Sequence, residues 1–390
     1  DVFFFVYGLV IFVANIFAPA LETVVVPFIA ERKENKDDAA SFAEQLILLA
    51  SGLAFVLAFL FIFLSYVVFP LITKFSLTNL KLLNELLIAI SPLVPLLVVS
   101  SLLAGILNAY KFYAIPAVAP GIRAIIALLI IYFFQFSLGI KAVVLAYILG
   151  ELVRTVSLFY LAKARKLISF KNVFKKNNTL MFFKVAAFQS VALSVGGFVP
   201  LIDKTMATWL SSGAVSVLEY AQRLYLLPFV FLTTGFFVVL LSEWSENFYN
   251  YDISVFKQKV KKVSLAVVYF TIVVTLLLII LSFPLLKLAY GHGKFPIEKL
   301  PLVRLTFIFY ILGLAPHMLA HVFVRVFITA KLTYILIVSA ILQVILDIVT
   351  NLIFMQFLGV TGIALASSVT IVCVVFYLFK QLPRALSVVK

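Results

Sequence analysis

Glu219 and Arg223 stand four residues apart in SVLEYAQRLYLLP. That spacing puts both on one helix face, with the acid leading, which is the favourable order. One reading is an ion pair that ties two helices together. The other is a cation facing a cavity that receives an anion, with Glu219 fixing the orientation of a guanidinium able to fork onto phosphate. Asp203 and Lys204 lie shortly before, beside apolar runs hinged by the short turn at 211–213. A charge at bilayer depth costs a few kcal/mol or more, so it faces a cavity or a partner. The stretch 196–228 therefore reads as the wall of a polar chamber, with Lys204 undecided between substrate contact and support.

A second set combines Asp203 with Asp347 and Asn351, which are i,i+4, and with Ser367 and Ser368 from the following run. Carboxylate, amide and hydroxyl oxygens at mid-membrane suit a hard cation such as sodium, and a lone carboxylate can carry a proton instead. Interhelical hydrogen bonding is the bland alternative. His317 and His321 share the i,i+4 spacing of a zinc pair, but Met318 stands where the metalloprotease motif needs glutamate, so cavity-lining imidazoles are the better reading. Glu151 and Arg154 form a local i,i+3 pair, whereas Arg123 has no partner nearby in sequence. Asn15 and Glu22 are two helical turns apart and could line one chamber. No aspartate-rich diphosphate-binding pair, phosphate-cradling GxxxxGK[ST] loop or GxSxG elbow is present, which argues against an intramembrane glycolipid enzyme.

The elements that must hold these residues are membrane helices. Of 390 residues, 64% are hydrophobic and 12% charged, with a mean hydropathy of +1.19. A soluble chain would carry about twice that charged fraction. Long apolar runs, rather than alternating segments of about ten residues, exclude a strand barrel. The net charge of +15 collects in the loops of one side, as topology requires, so nucleic acid is not the partner. Cys373 is alone, so neither a disulfide framework nor a thiolate metal site is expected. Eleven spans are predicted, at about 2–29, 46–72, 86–109, 114–137, 139–162, 182–210, 214–242, 263–290, 302–328, 333–357 and 359–381. Pro19 and Pro27 are expected to divide the first into a membrane part and an interfacial turn. The basic loops, taken as cytoplasmic, place Asp1 on the outer face and imply a preceding span.

An internal repeat points the same way. Leu138-Gly139 and Leu358-Gly359 are each followed seven residues later by Leu-Ala, and both runs go on to Phe-Tyr-Leu, at an offset of 220. At that offset 109–112 also meets 329–332. Two halves of like topology are a common build of secondary transporters. The expectation is an all-α polytopic protein of two pseudo-repeated lobes around a central cavity, with 11 transmembrane helices here and a twelfth before them. Residues 1–162 form the first lobe, 163–181 a basic cytoplasmic linker and 182–390 the second lobe.

Several motifs resemble the MurJ/MviN lipid II flippases of the MOP exporter superfamily. They are DVFFFVYGLV with IFA and VPFIAERK near the start, LLAGILNAYKFYAIPAVAP at 102–120, IDKTMATWLSSGAVSVLEYAQRLYLLP at 201–228, VVLLSEWS at 238–245, YGHGKF at 290–295 and LGVTGIALA at 358–366. The resemblance covers essentially the whole chain. It implies alternating-access export of an undecaprenyl-diphosphate-linked peptidoglycan precursor across the bacterial inner membrane, with no enzymatic chemistry and no cofactor. Coupling to sodium, protons or the membrane potential would drive it. Arg223 matches the functional arginine of the family's YAxRL motif. Arg123, Lys204, Glu219 and Asn15 are carried as further substrate contacts, and Asp203, Asp347, Asn351 and Ser367 as the cation set. Membrane lipids and the cell-wall synthesis machinery are the implied partners, and a monomer is expected.

The chain also departs from the family. The family's first helix, with functional arginines, and its two further C-terminal helices are absent. Ala14 and Asn15 replace a basic residue of the second helix, Pro19 replaces an acid, and Arg123 stands where the family commonly has Asn. These departures keep open a flippase for another lipid-linked oligosaccharide, such as O-antigen or capsule. A cation-coupled drug exporter would need an acidic chamber, whereas these buried charges lean basic.

Overall fold

A computed structural model describes residues 1–32, 34–168, 179–234, 244, 253–291, 295–330 and 332–386. The side chains at 13–17, 61, 64–65, 188–189, 191–196, 232–234, 333 and 386 also lie outside the described set. So do most of the basic linker, the end of the predicted span 214–242 and most of the motif at 238–245. Helices account for nearly all of what is described. They are α1 (Val2–Ala30), α2 (Lys36–Val67), the short α3 (Phe69–Ile72), α4 (Leu77–Ile90), α5 (Leu93–Ala109), α6 (Ala114–Leu138), α7 (Ile140–Ala164) and α8 (Leu180–Ala207). Then follow α9 (Ala214–Thr234), α10 (Ile253–Tyr290), α11 (Leu300–Leu312), α12 (Leu314–Thr329), α13 (Thr333–Leu358) and α14 (Val360–Leu386).

Eight stretches among the described residues are long and apolar enough to cross a membrane. With α1, α8 and α9 they correspond to the eleven predicted spans. Three begin well before the apolar runs do. α2 starts at Lys36 and α10 at Ile253, each about ten residues before its predicted span, and α4 starts at Leu77. At 1.5 Å per residue α10 is about 57 Å long, nearly twice the hydrocarbon thickness, so its basic first turns (Lys257, Lys261, Lys262) project beyond the bilayer. Two predicted spans are each split by a one- or two-residue break, at Ser91-Pro92 and at Gly313. Pro19 and Pro27 do not break α1, which runs through both. Within it the Thr23 hydroxyl donates to the Pro19 carbonyl at 2.7 Å. Membrane helices tolerate prolines where neighbours and Ser/Thr side chains satisfy the freed backbone groups.

The repeat is written in the backbone. α4–α7 and α11–α14 follow the same order of broken helix, long helix and long helix, about 220 residues apart. The corner between the last two is a single glycine in each case. Gly139 has φ 54° and ψ −127°, and Gly359 has φ 59° and ψ −135°. That region is essentially closed to any residue with a Cβ.

The helices form two compact units, Val2–Gly197 and Phe198–Lys390, the latter with Asp1. In the first, α1 packs on α5, α5 on α2 and α7, and α6 on α7. Leu21, Val25 and Ile29 of α1 meet Phe42 and Leu46 of α2 and Leu102, Leu103 and Ile106 of α5. The first half of α8 belongs to this unit, with the Phe182 ring edge-on to Phe28 and Phe42. In the second unit α14 is central, touching α9, α11, α12 and α13. Lipid is as apolar as these side chains, so contact packing and buried polar links, not water exclusion, hold such helices together.

Candidate functional site

In the second unit, α8 and α9 are joined by a glutamate held between two cations. Lys204 near the end of α8 places Nζ 2.7 Å from Glu219 Oε2. One turn further along α9, Arg223 Nε donates to Glu219 Oε1 at 2.8 Å. The glutamate and lysine side chains are buried, but 42% of Arg223 stays exposed. The trio carries a net positive charge with its guanidinium plane fixed from one edge. Beside it, Tyr290 donates to the Tyr220 carbonyl at 3.1 Å, and the two rings pack with Phe295. The start of α9 is capped from a distant segment. The Asp1 carboxylate accepts from the Ser216 backbone N–H at 2.9 Å and from the Gly213 N–H, a favourable place for negative charge.

Successive helical residues point about 100° apart, so Asp203 faces a different neighbour from Lys204. Asn351 Nδ2 donates to Asp203 Oδ1 at 2.7 Å and to Asp347 Oδ2 at 3.0 Å, and the Ser367 hydroxyl donates to Asp203 Oδ2 at 3.2 Å. Three helices, α8, α13 and α14, thus converge on one buried cluster. Among the described residues, the buried Asp347 Oδ1 and Asn351 Oδ1 have no hydrogen-bond donor, and the nearby buried Tyr310 hydroxyl has no hydrogen-bond partner. Two carboxylates sharing one amide repel unless a proton or a cation lies with them. Ser368 is not part of this cluster, since its hydroxyl donates to the Phe309 carbonyl instead.

The first unit contains its own clamp. Glu151 on α7 is fully buried, with Arg123 Nη1 of α6 3.0 Å from Oε2 and Arg154 Nη1 2.9 Å from Oε1. Ser100 of α5 donates to the same Oε1. Arg123, which has no partner nearby in sequence, thus finds one 28 residues away. Gly150 makes this possible, because a Cβ there would lie 2.8 Å from the Arg123 carbonyl oxygen. Glu22 accepts from Asn108 at 3.2 Å, joining α1 to α5. The Asn15 side chain lies outside the described residues.

His317 and His321 line a cavity of about 210 Å³ between α12, α13 and α14, along with Ser339, Ala340 and Gln343. His317 Nδ1 is 2.8 Å from the Tyr225 hydroxyl. Among the described residues there is no cluster of three or more metal-ligating side chains. Sequence spacing shows the Glu219–Arg223 and Asp347–Asn351 pairs, because each lies on a single helix. It gives no sign of the Lys204–Glu219, Arg123–Glu151 and Tyr225–His317 links, which cross between helices.

The model of the family described as "Lipid II flippase MurJ" matches residues 1–390. The chain belongs to that family. It is therefore a multi-pass protein of the bacterial inner membrane, in a family of transporters rather than enzymes. A "Probable lipid II flippase MurJ" of Buchnera aphidicola subsp. Schizaphis graminum (strain Sg) is 22% identical over 330 residues, 82% of this chain and 64% of that relative. The chain thus spans less than two thirds of that relative's length. The structure of a lipid II flippase MurJ in an inward closed conformation has a TM-score of 0.85 at 24% identity, covering 98% of this chain and 81% of the other. An inward-facing multidrug resistance MATE transporter of the MOP superfamily has a TM-score of 0.80 at 12% identity, covering 99% of this chain and 90% of the other. Both likenesses show the fold.

Proposed function

We propose that this chain moves lipid II, a polyprenyl-diphosphate-linked peptidoglycan precursor, from the cytoplasmic to the outer leaflet by alternating access. The observation that carries this reading is the family match over all 390 residues, which includes the YAxRL arginine. That arginine, Arg223, is half-exposed and anchored on a buried glutamate. An anchored guanidinium loses little freedom when it takes a phosphate oxygen pair. Glu219 orients it, Lys204 neutralises the glutamate from behind, and Arg123 offers a second half-exposed cation on Glu151. Asn15 is proposed as a contact on its two-turn spacing from Glu22 alone. Passage of the headgroup through a polar route avoids the cost of moving bare charge through hydrocarbon. An inside-negative potential favours outward movement of an anion by about 2.3 kcal/mol per charge per 100 mV.

Asp203, Asp347, Asn351 and Ser367 are proposed as the site of a coupling cation, sodium or a proton. Their support is two buried carboxylates brought together on one amide, with one oxygen of Asp347 and the amide oxygen of Asn351 lacking a donor among the described residues. The test is rescue of cells depleted of their own lipid II flippase. The wild-type chain is expected to restore growth and precursor export, and Arg223→Ala to abolish both at equal membrane abundance. Full rescue by Arg223→Ala would remove the residue on which the mechanism turns. Export of a different lipid-linked glycan, with no lipid II export, would overturn the assigned substrate.

A further inference from the structure

The cavity beside His317 and His321 plays no part in the function proposed above. Four of its lining residues, His317, His321, Ser339 and Gln343, are polar, although it lies within the membrane-spanning part of α12, α13 and α14. Polar side chains at that depth face water or one another, and about 210 Å³ is room for several waters. Two of the four continue a regular stripe. Ser339, Gln343, Asp347 and Asn351 follow one another at intervals of four along α13, a stripe that rises about 6 Å and turns about 40° at each step. The first two line the cavity and the last two belong to the buried carboxylate cluster. On α14 the same step leads from Ile371 in the cavity wall to Ser367 on Asp203. At its other end the cavity reaches Leu336 near the start of α13 and Val324 near the end of α12, the helix ends that the distribution of Lys and Arg places on the cytoplasmic side. Asp347 lies about 21 Å along α13, at mid-bilayer.

We infer that this cavity is the aqueous route by which a monovalent cation, Na⁺ or a hydrated proton, passes between the cytoplasm and the Asp203–Asp347–Asn351–Ser367 cluster. The inference rests on the cation reading of that cluster. The imidazoles and the Gln343 amide hold water along the way. Tyr225, hydrogen-bonded to His317 and stacked on Tyr310 at 5.8 Å, keeps one wall fixed. Ala340 is the small residue that leaves the passage open.

The experiment uses the full chain, purified in detergent. It follows association of radioactive Na⁺ and, in matched samples without Na⁺, proton uptake from an indicator dye after a downward pH jump. Together these show which ion the cluster takes. Ala340→Phe fills the route. It is expected to slow association at least tenfold while equilibrium affinity stays within threefold of wild type. Gln343→Leu keeps the volume but removes a polar lining group, and about threefold slowing is expected. It also serves if the Phe variant does not fold. Ile341→Phe, on the exposed face of α13, should exchange at the wild-type rate. Wild-type kinetics in both Ala340→Phe and Gln343→Leu, with binding still lost in Asp347→Asn, would overturn the route and leave the cation site standing. Ion binding that survives Asp203→Asn with Asp347→Asn, or no binding of either ion by wild type, would overturn the site and the route together.

Discussion

Each unit buries one glutamate between two cations, yet the two clamps are built differently. Glu151 is fully buried and joins three helices. Arg154 reaches it from its own helix, Arg123 from α6, and a serine hydroxyl from α5 takes up a carboxylate oxygen as well. Among the described residues, Glu219 joins α8 and α9. Its inner partner is a lysine, and its outer arginine is the most exposed cation of the two sets, at 42% against 35% for Arg123. The repeat does not relate them, because Glu151 lies on α7 and Glu219 on α9, which are not equivalent helices. Removing one partner of a buried pair strands the other charge, so such a clamp is costly to break whatever its net contribution to stability. The first clamp is met from several sides, with Arg123 as its exposed member. The second holds one arginine ready at its edge.

The largest effect should come from breaking each clamp at its centre. Glu151→Ala and Glu219→Ala each leave a buried cation unpaired and should cost about 3–5 kcal/mol, read as loss of thermal stability in detergent. If Glu151→Ala costs less than about 1 kcal/mol, the structural reading of the first clamp fails. The arginines should then separate the two clamps. Arg223→Ala is expected to lower stability by under about 1 kcal/mol, as for an exposed pair, while abolishing rescue. Arg154→Ala should lower stability by about 3 kcal/mol, with export falling only as far as protein abundance does. A double-mutant cycle should give a larger coupling for Glu151–Arg154 than for Glu219–Arg223, by about 1 kcal/mol or more. The repeat corners should have no effect on export beyond that of protein abundance. Gly139→Ala and Gly359→Ala should each cost about 1–3 kcal/mol from backbone strain. Open space around both positions means no steric clash adds to this, so the two values should agree closely. A large difference would mean the two corners are not equivalent.

Much of the architecture could be read from the sequence, because membrane spans and a repeat are patterns of neighbours along the chain. What the sequence hid had two physical causes. Helix starts were placed late in α2 and α10, because hydropathy falls where polar residues begin although hydrogen bonding continues. Sites that cross between helices were seen only in part. Glu219 with Arg223 and Asp347 with Asn351 are readable as i,i+4 pairs. The lysine behind Glu219 and the glutamate that Arg123 needs lie on other helices, at separations set by packing. Asp203, Asp347, Asn351 and Ser367 could be grouped in sequence by their oxygen chemistry alone, and hydrogen bonds connect the four side chains in the structure.

The one-residue corners at Gly139 and Gly359 have a consequence for how the chain enters the bilayer. With no loop between them, α6 and α7 must insert as a single hairpin, and so must α13 and α14. The first hairpin brings its own neutralisation, because Arg123, Glu151 and Arg154 all lie within it. Its polar load can be paired before it leaves the translocation channel. The second hairpin cannot do the same. Asp347, Asn351 and Ser367 find their carboxylate partner Asp203 on α8, a helix made about 140 residues earlier. The second hairpin therefore reaches its resting place only when α8 is already there to meet it, which sets an order of assembly on the ribosome.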